Sequence, residues 1–309
     1  MRLGFVGTGT MGAPMAACLL DAGHQLSVYD VRPAAAAALA ERAAGVAGTP
    51  AEAARLSGVV FTSLPGPHEV EHAVLDSATG ILAGLEAGGA YIDMTTNAPA
   101  VARDIAAACH TRGIDMLDAP VSGRPPTMTV MAGGPAPVFA KYRPLLAAMA
   151  GNIFHVGEAG AGCVAKLVTQ YLGYTNFVAA LEGLLIGAKA GIDLGQLARI
   201  VPLSAGASRT FDNIPRSVLT GAFTAGGTLD IVAKDLMLAC ELAREVAAPA
   251  QLGLLAHDVL HRAQARGWGQ QGFPVAAKIL ETMAGLELRA APAADTTSYQ
   301  AIDPRRPVV

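Results

Sequence analysis

The sequence predicts a doubly wound α/β fold with a mostly parallel sheet, then a long helix and an all-α domain. Three observations predict it. Short apolar strands alternate with alanine-rich helical segments up to about Val156. A glycine turn sits between the first strand and the first helix. Beyond Gly157–Gly162 the strand pattern stops and only helical periods remain.

The first strand is read from Leu3, Phe5 and Val6, and the first helix from Met11–Leu20. Further strands are expected at 26–30, 59–63, 90–94, 114–118, 129–132 and 153–155. Helices are expected between them at 34–44, 50–55, 98–112 and 138–149. From Cys163 to about Gly191 only Gly173, Gly183 and Gly187 interrupt a long helical run, and these allow another helix to come close. Helical periods recur near 194–201, 228–245, 251–266 and 275–286. The organisation read from this is a sheet domain over 1–158, an interdomain helix over 159–191, an all-α domain over 192–289 and a loosely held tail over 290–309.

Gly7, Gly9 and Gly12 make G-x-G-x-x-G, with Thr10 and Met11 inside the motif. Gly7 permits the tight turn, Gly9 lets a backbone approach a pyrophosphate, and Gly12 lets the helix pack on the strand. The helix N-terminus then presents N–H groups and a positive dipole end to phosphates. Asp30 closes the second strand 18 residues after Gly12. A carboxylate there accepts from the ribose hydroxyls of NAD and repels the 2′-phosphate of NADP. The expected cofactor is therefore NAD in preference to NADP, with Arg32 partly softening the choice. The bland reading of Asp30 is a turn carboxylate.

Bulk properties exclude several classes. Of 309 residues, 52% are hydrophobic and 15% charged, so broad apolar helix faces should meet another domain or subunit. A net charge of −3 gives no electrostatic footprint for nucleic acid or an anionic membrane. Cys18, Cys109, Cys163 and Cys240 are far apart and suit a reducing compartment. No signal peptide and no membrane span is read, and the expectation is a cytoplasmic protein.

Strand-end loops should carry the chemistry. Thr62–Pro65 and Asp93–Thr96 are placed to line the nicotinamide half of a dinucleotide, or are ordinary turns. In Asp118-Ala-Pro-Val-Ser-Gly123, Ser122 and the Gly123 N–H can hold a carboxylate, or the segment is a plain Pro/Gly turn. Lys166 follows the glycine loop amid Cys163, Val164, Ala165, Leu167 and Val168. A desolvated lysine there has a lowered pKa and can exchange a proton with a hydroxyl; the alternative is a snorkelling surface lysine. Gln170, at i+4, shares its face. Lys234 interrupts an apolar helix and either reaches the cofactor or pairs with an acid. His257 and His261 have ligand-like i, i+4 spacing without a third ligand, so a solvated helix face is favoured and no metal site is expected. A G-x-S-x-G elbow and a G-K-[ST] phosphate loop are absent.

Four pieces in order resemble the β-hydroxyacid dehydrogenases, the family of 3-hydroxyisobutyrate dehydrogenase and tartronate semialdehyde reductase. They are Gly4–Met15, Asp118–Gly123, Gly157-x-x-Gly160-x-Gly162-x-x-x-Lys166 and Lys234-Asp235-Leu236. The resemblance runs from residue 1 to about 286 and implies a Rossmann domain, an interdomain helix and a 6-phosphogluconate dehydrogenase-like helical domain that helps form a homodimer or homotetramer. It implies hydride transfer between NAD and a small anionic hydroxy acid or aldehyde acid. Lys166 would match the general acid/base, Ser122 and Gly123 the carboxylate grip, and Leu64, Pro65, Thr96 and Lys234 cofactor contacts. The departures lie on the substrate side: Arg124 where a second glycine is usual, a shorter loop after it, Gln170 where asparagine is usual, and Gly272–Val275 where Asp-x-Ser-Ala is usual. Arg124 adds a fixed positive charge suited to a second carboxylate, a sulfonate or a phosphate. The rival readings are a reductase of another C=X bond, such as an imine, and a dinucleotide-binding protein without turnover.

Overall fold

The computed structural model describes residues 1–40, 42, 45–224 and 226–290. The expected tail from 291 on, and positions 41, 43 and 44 of the expected second helix, lie outside the described residues. The chain divides into two compact units, Met1–Tyr171 with Lys234–Ala250, and Leu172–Ala233 with the residues from Gln251 on.

The first unit carries the sheet. Its strands are β1 (Arg2–Val6), β2 (Gln25–Tyr29), β3 (Gly45–Val46), β4 (Val59–Thr62), β5 (Ala90–Asp93), β6 (Asp115–Asp118), β7 (Val121–Ser122), β8 (Met128–Gly133) and β9 (Ala150–Gly157). They run in the order β3-β2-β1-β4-β5-β6-β8-β7, with β9 beside β8. The six strands from β3 to β6 are parallel, and β8 joins β6 and β7 antiparallel. The direction of winding reverses between β1 and β4, which is where such sheets open a crevice beyond their carboxyl ends.

Strand residues alternate between two cores. Leu3, Phe5, Val59, Phe61 and Ile92 face one side with α1 (Gly12–Asp21), α2 (Pro33–Ala40) and α7 (Ala136–Ala147). Val6, Val60 and Tyr91 face the other with α3 (Pro50–Arg55), α4 (Pro67–Leu75), α5 (Ile81–Gly84) and α6 (Pro99–Thr111). Both faces are therefore covered, as parallel strands need. The expected strands are all present, shifted at their ends by one to three residues. β3 and β7 were not foreseen, nor were α4 and α5. α3 begins at a capping threonine: Thr49 Oγ1 accepts from Glu52 N at 3.1 Å.

In the second unit the described elements are helical. The long helix α8 (Ala161–Lys189) starts in the first unit and enters the second, while α11 (Leu229–Glu245) starts in the second and returns to the first. Between them lie α9 (Leu194–Ile200) and α10 (Ile214–Ser217), and after them α12 (Gln251–Gln264) and α13 (Ala277–Ala284). Gly272–Val275 lies at a 3₁₀ turn over Phe273–Ala276, whose Phe273 ring meets Phe177 edge-on with centroids 4.9 Å apart.

Candidate active site

Two of the three motif glycines are fixed by the fold alone. Gly7 has φ +89°, and a Cβ on it would lie 2.3 Å from the Ser63 carbonyl oxygen. A Cβ on Gly12 would lie 1.8 Å from the Gly7 oxygen. Gly9 is different: a Cβ there would meet only the tip of Arg32, at 3.3 Å. The space over Gly9 is thus room the fold leaves open, and it fits close approach of a pyrophosphate to the protein backbone. α1 has no side-chain cap, and its first turn holds no acid that would repel an anion. Thr10 is exposed and Met11 half-buried beside this opening. The residues present fit a dinucleotide.

Asp30 lies just past β2 and faces the glycine turn. Its Oδ2 accepts from Thr8 N at 2.8 Å, and its Oδ1 accepts from Arg32 N at 2.9 Å with Arg32 Nε at 3.6 Å. The carboxylate is therefore tethered at the rim of the opening, with a guanidinium beside it.

The strand-end loops are held by a buried carboxylate. Asp93 Oδ1 accepts from Thr62 Oγ1 at 2.8 Å and Thr95 N at 3.0 Å, and Oδ2 accepts from Asn97 Nδ2 at 3.0 Å. Burial pushes its pKa up while these donors pull it back. Thr95 Oγ1 in turn accepts from Leu64 N at 3.0 Å. The loops carrying Leu64, Pro65 and Thr96 are thereby locked to each other.

Lys166 sits in the first turns of α8 and is 6% exposed. Burial lowers its ammonium to about 8; the Asp235 carboxylate opposes that shift and the Lys234 charge adds to it. Asp235, itself buried, takes the Gln170 amide on Oδ2 at 2.7 Å. Its Oδ1 stands 2.8 Å from Lys234 Nζ, an ion contact not aligned as a hydrogen bond. Lys234 Nζ also donates to the Thr96 carbonyl at 3.1 Å and packs against Gly66. Gln170, Asp235, Lys234 and Thr96 are therefore linked in a chain of contacts, and the charges of Asp235 and Lys234 act on Lys166. This is a partly desolvated lysine amine with a carboxylate to balance its charged form, which is what proton transfer near neutral pH requires.

Ser122, Gly123 and Arg124 lie at and just after β7, which ends the strand order of the sheet. Ser122 is exposed on β7 and pairs with Thr129, Gly123 has φ +85°, and Arg124 is exposed at a turn closed by Thr127 N on its carbonyl at 3.1 Å. His257 and His261 stack on α12 with ring centroids 6.2 Å apart. Among the described residues no group of three or more His, Cys, Asp or Glu side chains could hold a metal ion.

The sequence reading missed Asp93 and Asp235 as organisers. Asp235 had a signal, since a charged pair inside an apolar helix must be satisfied internally. Asp93 had none beyond its place at a strand end.

The lowered lysine carries a stability consequence. At pH 7 Lys166 is charged in both folded and unfolded chains, so the full cost of the shift from 10.5 to about 8 is felt, about 3 kcal/mol. Between those values the unfolded chain binds more protons, so this group adds stability as pH rises. Lys166→Met should therefore raise the melting temperature at pH 7 by several degrees, and the gain should shrink above pH 8. Melting curves at pH 7 and pH 10 check this; equal melting temperatures at pH 7 would mean the ammonium is well solvated.

Two family models match end to end. One, the NAD binding domain of 6-phosphogluconate dehydrogenase, covers residues 2–157. The other, described as NAD-binding of NADP-dependent 3-hydroxyisobutyrate dehydrogenase, covers 160–280. A 2-(hydroxymethyl)glutarate dehydrogenase from Eubacterium barkeri is 32% identical over 93% of this chain and 97% of its own. A 3-hydroxyisobutyrate dehydrogenase from Pseudomonas aeruginosa is 36% identical over 83% of this chain and 90% of its own. The crystal structure of a Salmonella typhimurium 3-hydroxyisobutyrate dehydrogenase superposes with a TM-score of 0.81 at 31% identity, covering 90% of this chain and 99% of that one. With the glycine turn, the buried lysine and both halves of the chain matched, this protein belongs to the β-hydroxyacid dehydrogenase family of NAD-binding oxidoreductases.

Proposed function

We propose that this protein is an NAD-dependent dehydrogenase of a small 3-hydroxy acid, or a reductase of the corresponding aldehyde acid, with Lys166 as its general acid/base. The observation that carries the reading is the Lys166 amine, buried and lowered to about 8 beside Asp235 and Lys234. A dinucleotide held by these residues would supply the hydride acceptor in oxidation and the hydride donor in reduction. In oxidation the neutral Lys166 amine removes the substrate hydroxyl proton as the carbinol carbon becomes a carbonyl. In reduction the Lys166 ammonium gives that proton to the forming alkoxide. Gly9, Thr10, Met11 and Asp30 would hold the adenosine and pyrophosphate side. Leu64, Pro65, Thr96 and Lys234 would line the nicotinamide side, on loops tied together through Asp93.

Ser122 and the Gly123 N–H would grip the substrate carboxylate, with Arg124 beside them for a second anion. The Eubacterium barkeri relative is named for 2-(hydroxymethyl)glutarate, a dicarboxylate, which supports a doubly anionic substrate here. A homo-oligomer is part of the same reading. In α8, Leu172, Asn176, Ala179, Gly183 and Ile186 are exposed at steps of four and three, the spacing of a helix-packing seam.

Lys166→Ala should lower kcat by about 10²- to 10⁴-fold. NADH binding, followed by fluorescence, should stay within about threefold, because the lysine moves a proton and does not hold the dinucleotide. In the unsubstituted enzyme the oxidation rate should rise with pH through about 8 and the reduction rate should fall through it. Turnover that survives the substitution removes the acid/base role.

A screen of hydroxy acids and cyclic imines with NAD and NADP in parallel tests substrate and cofactor together. Turnover of an imine alone would replace the alcohol reading, and tight NADH binding with no turnover would make the protein a binding module. Arg124→Ala should lower kcat/KM about 10-fold for a dicarboxylic hydroxy acid and leave a monocarboxylic one within about twofold. Asp30→Ala should narrow the preference for NAD over NADP by about 10-fold. An unchanged ratio would show that the carboxylate bound to Thr8 and Arg32 does not select the ribose.

A further inference from the structure

Asp118 is a fully buried carboxylate at the end of β6 to which none of the roles above assigns a task. Its Oδ1 accepts from Gly160 N at 2.7 Å and its Oδ2 from Cys163 N at 2.9 Å. Gly160 is the residue whose carbonyl accepts the first bond of α8, from Val164 N at 3.0 Å. The two N–H groups therefore belong to the opening of α8, where no intrahelical acceptor exists. A side chain more than forty residues upstream supplies the cap that α8 lacks locally.

The fit around this carboxylate leaves no slack. A Cβ on Gly162 would fall 2.4 Å from the Asp118 carbonyl oxygen and 2.9 Å from its Oδ2. A Cβ on Gly133, the antiparallel partner of Asp118 in β8, would fall 2.5 Å from Oδ1. These contacts let the helix start sit directly on the end of the sheet. Lys166 follows Cys163 by three residues, so it rides on the turn that Asp118 clamps.

We propose that Asp118 is the positioning residue of Lys166: it clamps the start of α8 to the end of β6 and so sets where the lysine amine stands. The proposal rests on the acid/base reading of Lys166. Asparagine in its place keeps the shape but offers one acceptor oxygen, so one of the two N–H groups loses its partner. An added freedom of about 1 Å at a reacting group is enough to lower a rate by about 10²-fold.

The test is a double-substitution cycle with an independent labelling readout. Asp118→Asn should lower kcat about 100-fold while NADH binding, measured by fluorescence, stays within about twofold. In a Lys166→Met background the same substitution should change the residual rate by less than about twofold, because its effect passes through the lysine. An equal loss in both backgrounds would make Asp118 a structural residue only and overturn the proposal. In the protein without cofactor, labelling of Lys166 by trinitrobenzenesulfonate, followed by peptide mass spectrometry, should quicken at least about fivefold in Asp118→Asn. An unchanged labelling rate also overturns it. Asp118→Ser, whose single oxygen stops one bond short of both N–H groups, should lower kcat at least as far as Asp118→Asn. If neither variant folds, Asp118 is a folding residue and the proposal fails. A wild-type rate in Asp118→Asn with an inactive Lys166→Met would sink the proposal alone, whereas an active Lys166→Met would sink the acid/base reading beneath it.

Discussion

Two carboxylates buried side by side hold the crevice end of the sheet together. Asp93 and Asp118 close adjacent parallel strands in register, and both are fully buried. Burial raises the pKa of each, and the Asp93 charge raises that of Asp118 further. Removing a carboxylate from water costs several kcal/mol unless donors replace the water. Here the replacement donors come from the loops and the helix that must be positioned: Thr62, Thr95 and Asn97 for Asp93, Gly160 and Cys163 for Asp118. The need to satisfy the two charges is thus the same physical demand that orders the strand-end loops and the start of α8. A fold that merely buried apolar surface would leave those loops to find their own positions.

A second buried cluster is built the opposite way. Asp235 stands among Lys166, Lys234 and Gln170, two positive groups to one negative. Burial disfavours the Lys166 ammonium by more than the Asp235 carboxylate restores, and the Lys234 charge adds to the lowering. The cluster therefore concentrates instability in the buried Lys166 side chain, the group proposed to move a proton. The Asp93 and Asp118 pair supplies rigidity instead. Stability given up at Lys166 is tolerable because its surroundings are over-determined by the bonds to Asp93 and Asp118.

The glycine turn between β1 and α1 was legible because its spacing is a local pattern tied to a strand and a helix start. Lys166 was legible because an apolar run leaves an ammonium little water. The long strands, the long helices and the change to an all-helical second part followed from periodicity for the same reason. The two-residue strands β3 and β7 and the four-residue helix α5 are too short to show a period. α4 did carry a signal, Pro67 at its start and Val70, Ala73 and Val74 on one face, but its charged residues masked it. β9 runs well beyond the three expected residues because most of it is exposed and shows no apolar alternation. Asp93 and Asp118 were illegible as organisers for a deeper reason. A carboxylate at a strand end looks the same in sequence whether it is solvated in a turn or buried under a helix more than forty residues away.

The departures from the family pattern can now be placed. Gln170 has its amide nitrogen on Asp235, so the longer side chain is drawn into the charge cluster. Holding Asp235 from one side with Gln170 and from the other with Lys234 fixes the carboxylate that balances Lys166. An asparagine at the same position is one methylene shorter and would need Asp235 to come to it. Arg124 lies on an exposed turn, away from any such constraint, and its charge is free to meet solvent or an anion. The departure at 170 therefore lies inside the charge cluster around Asp235, and the departure at 124 lies on an exposed turn.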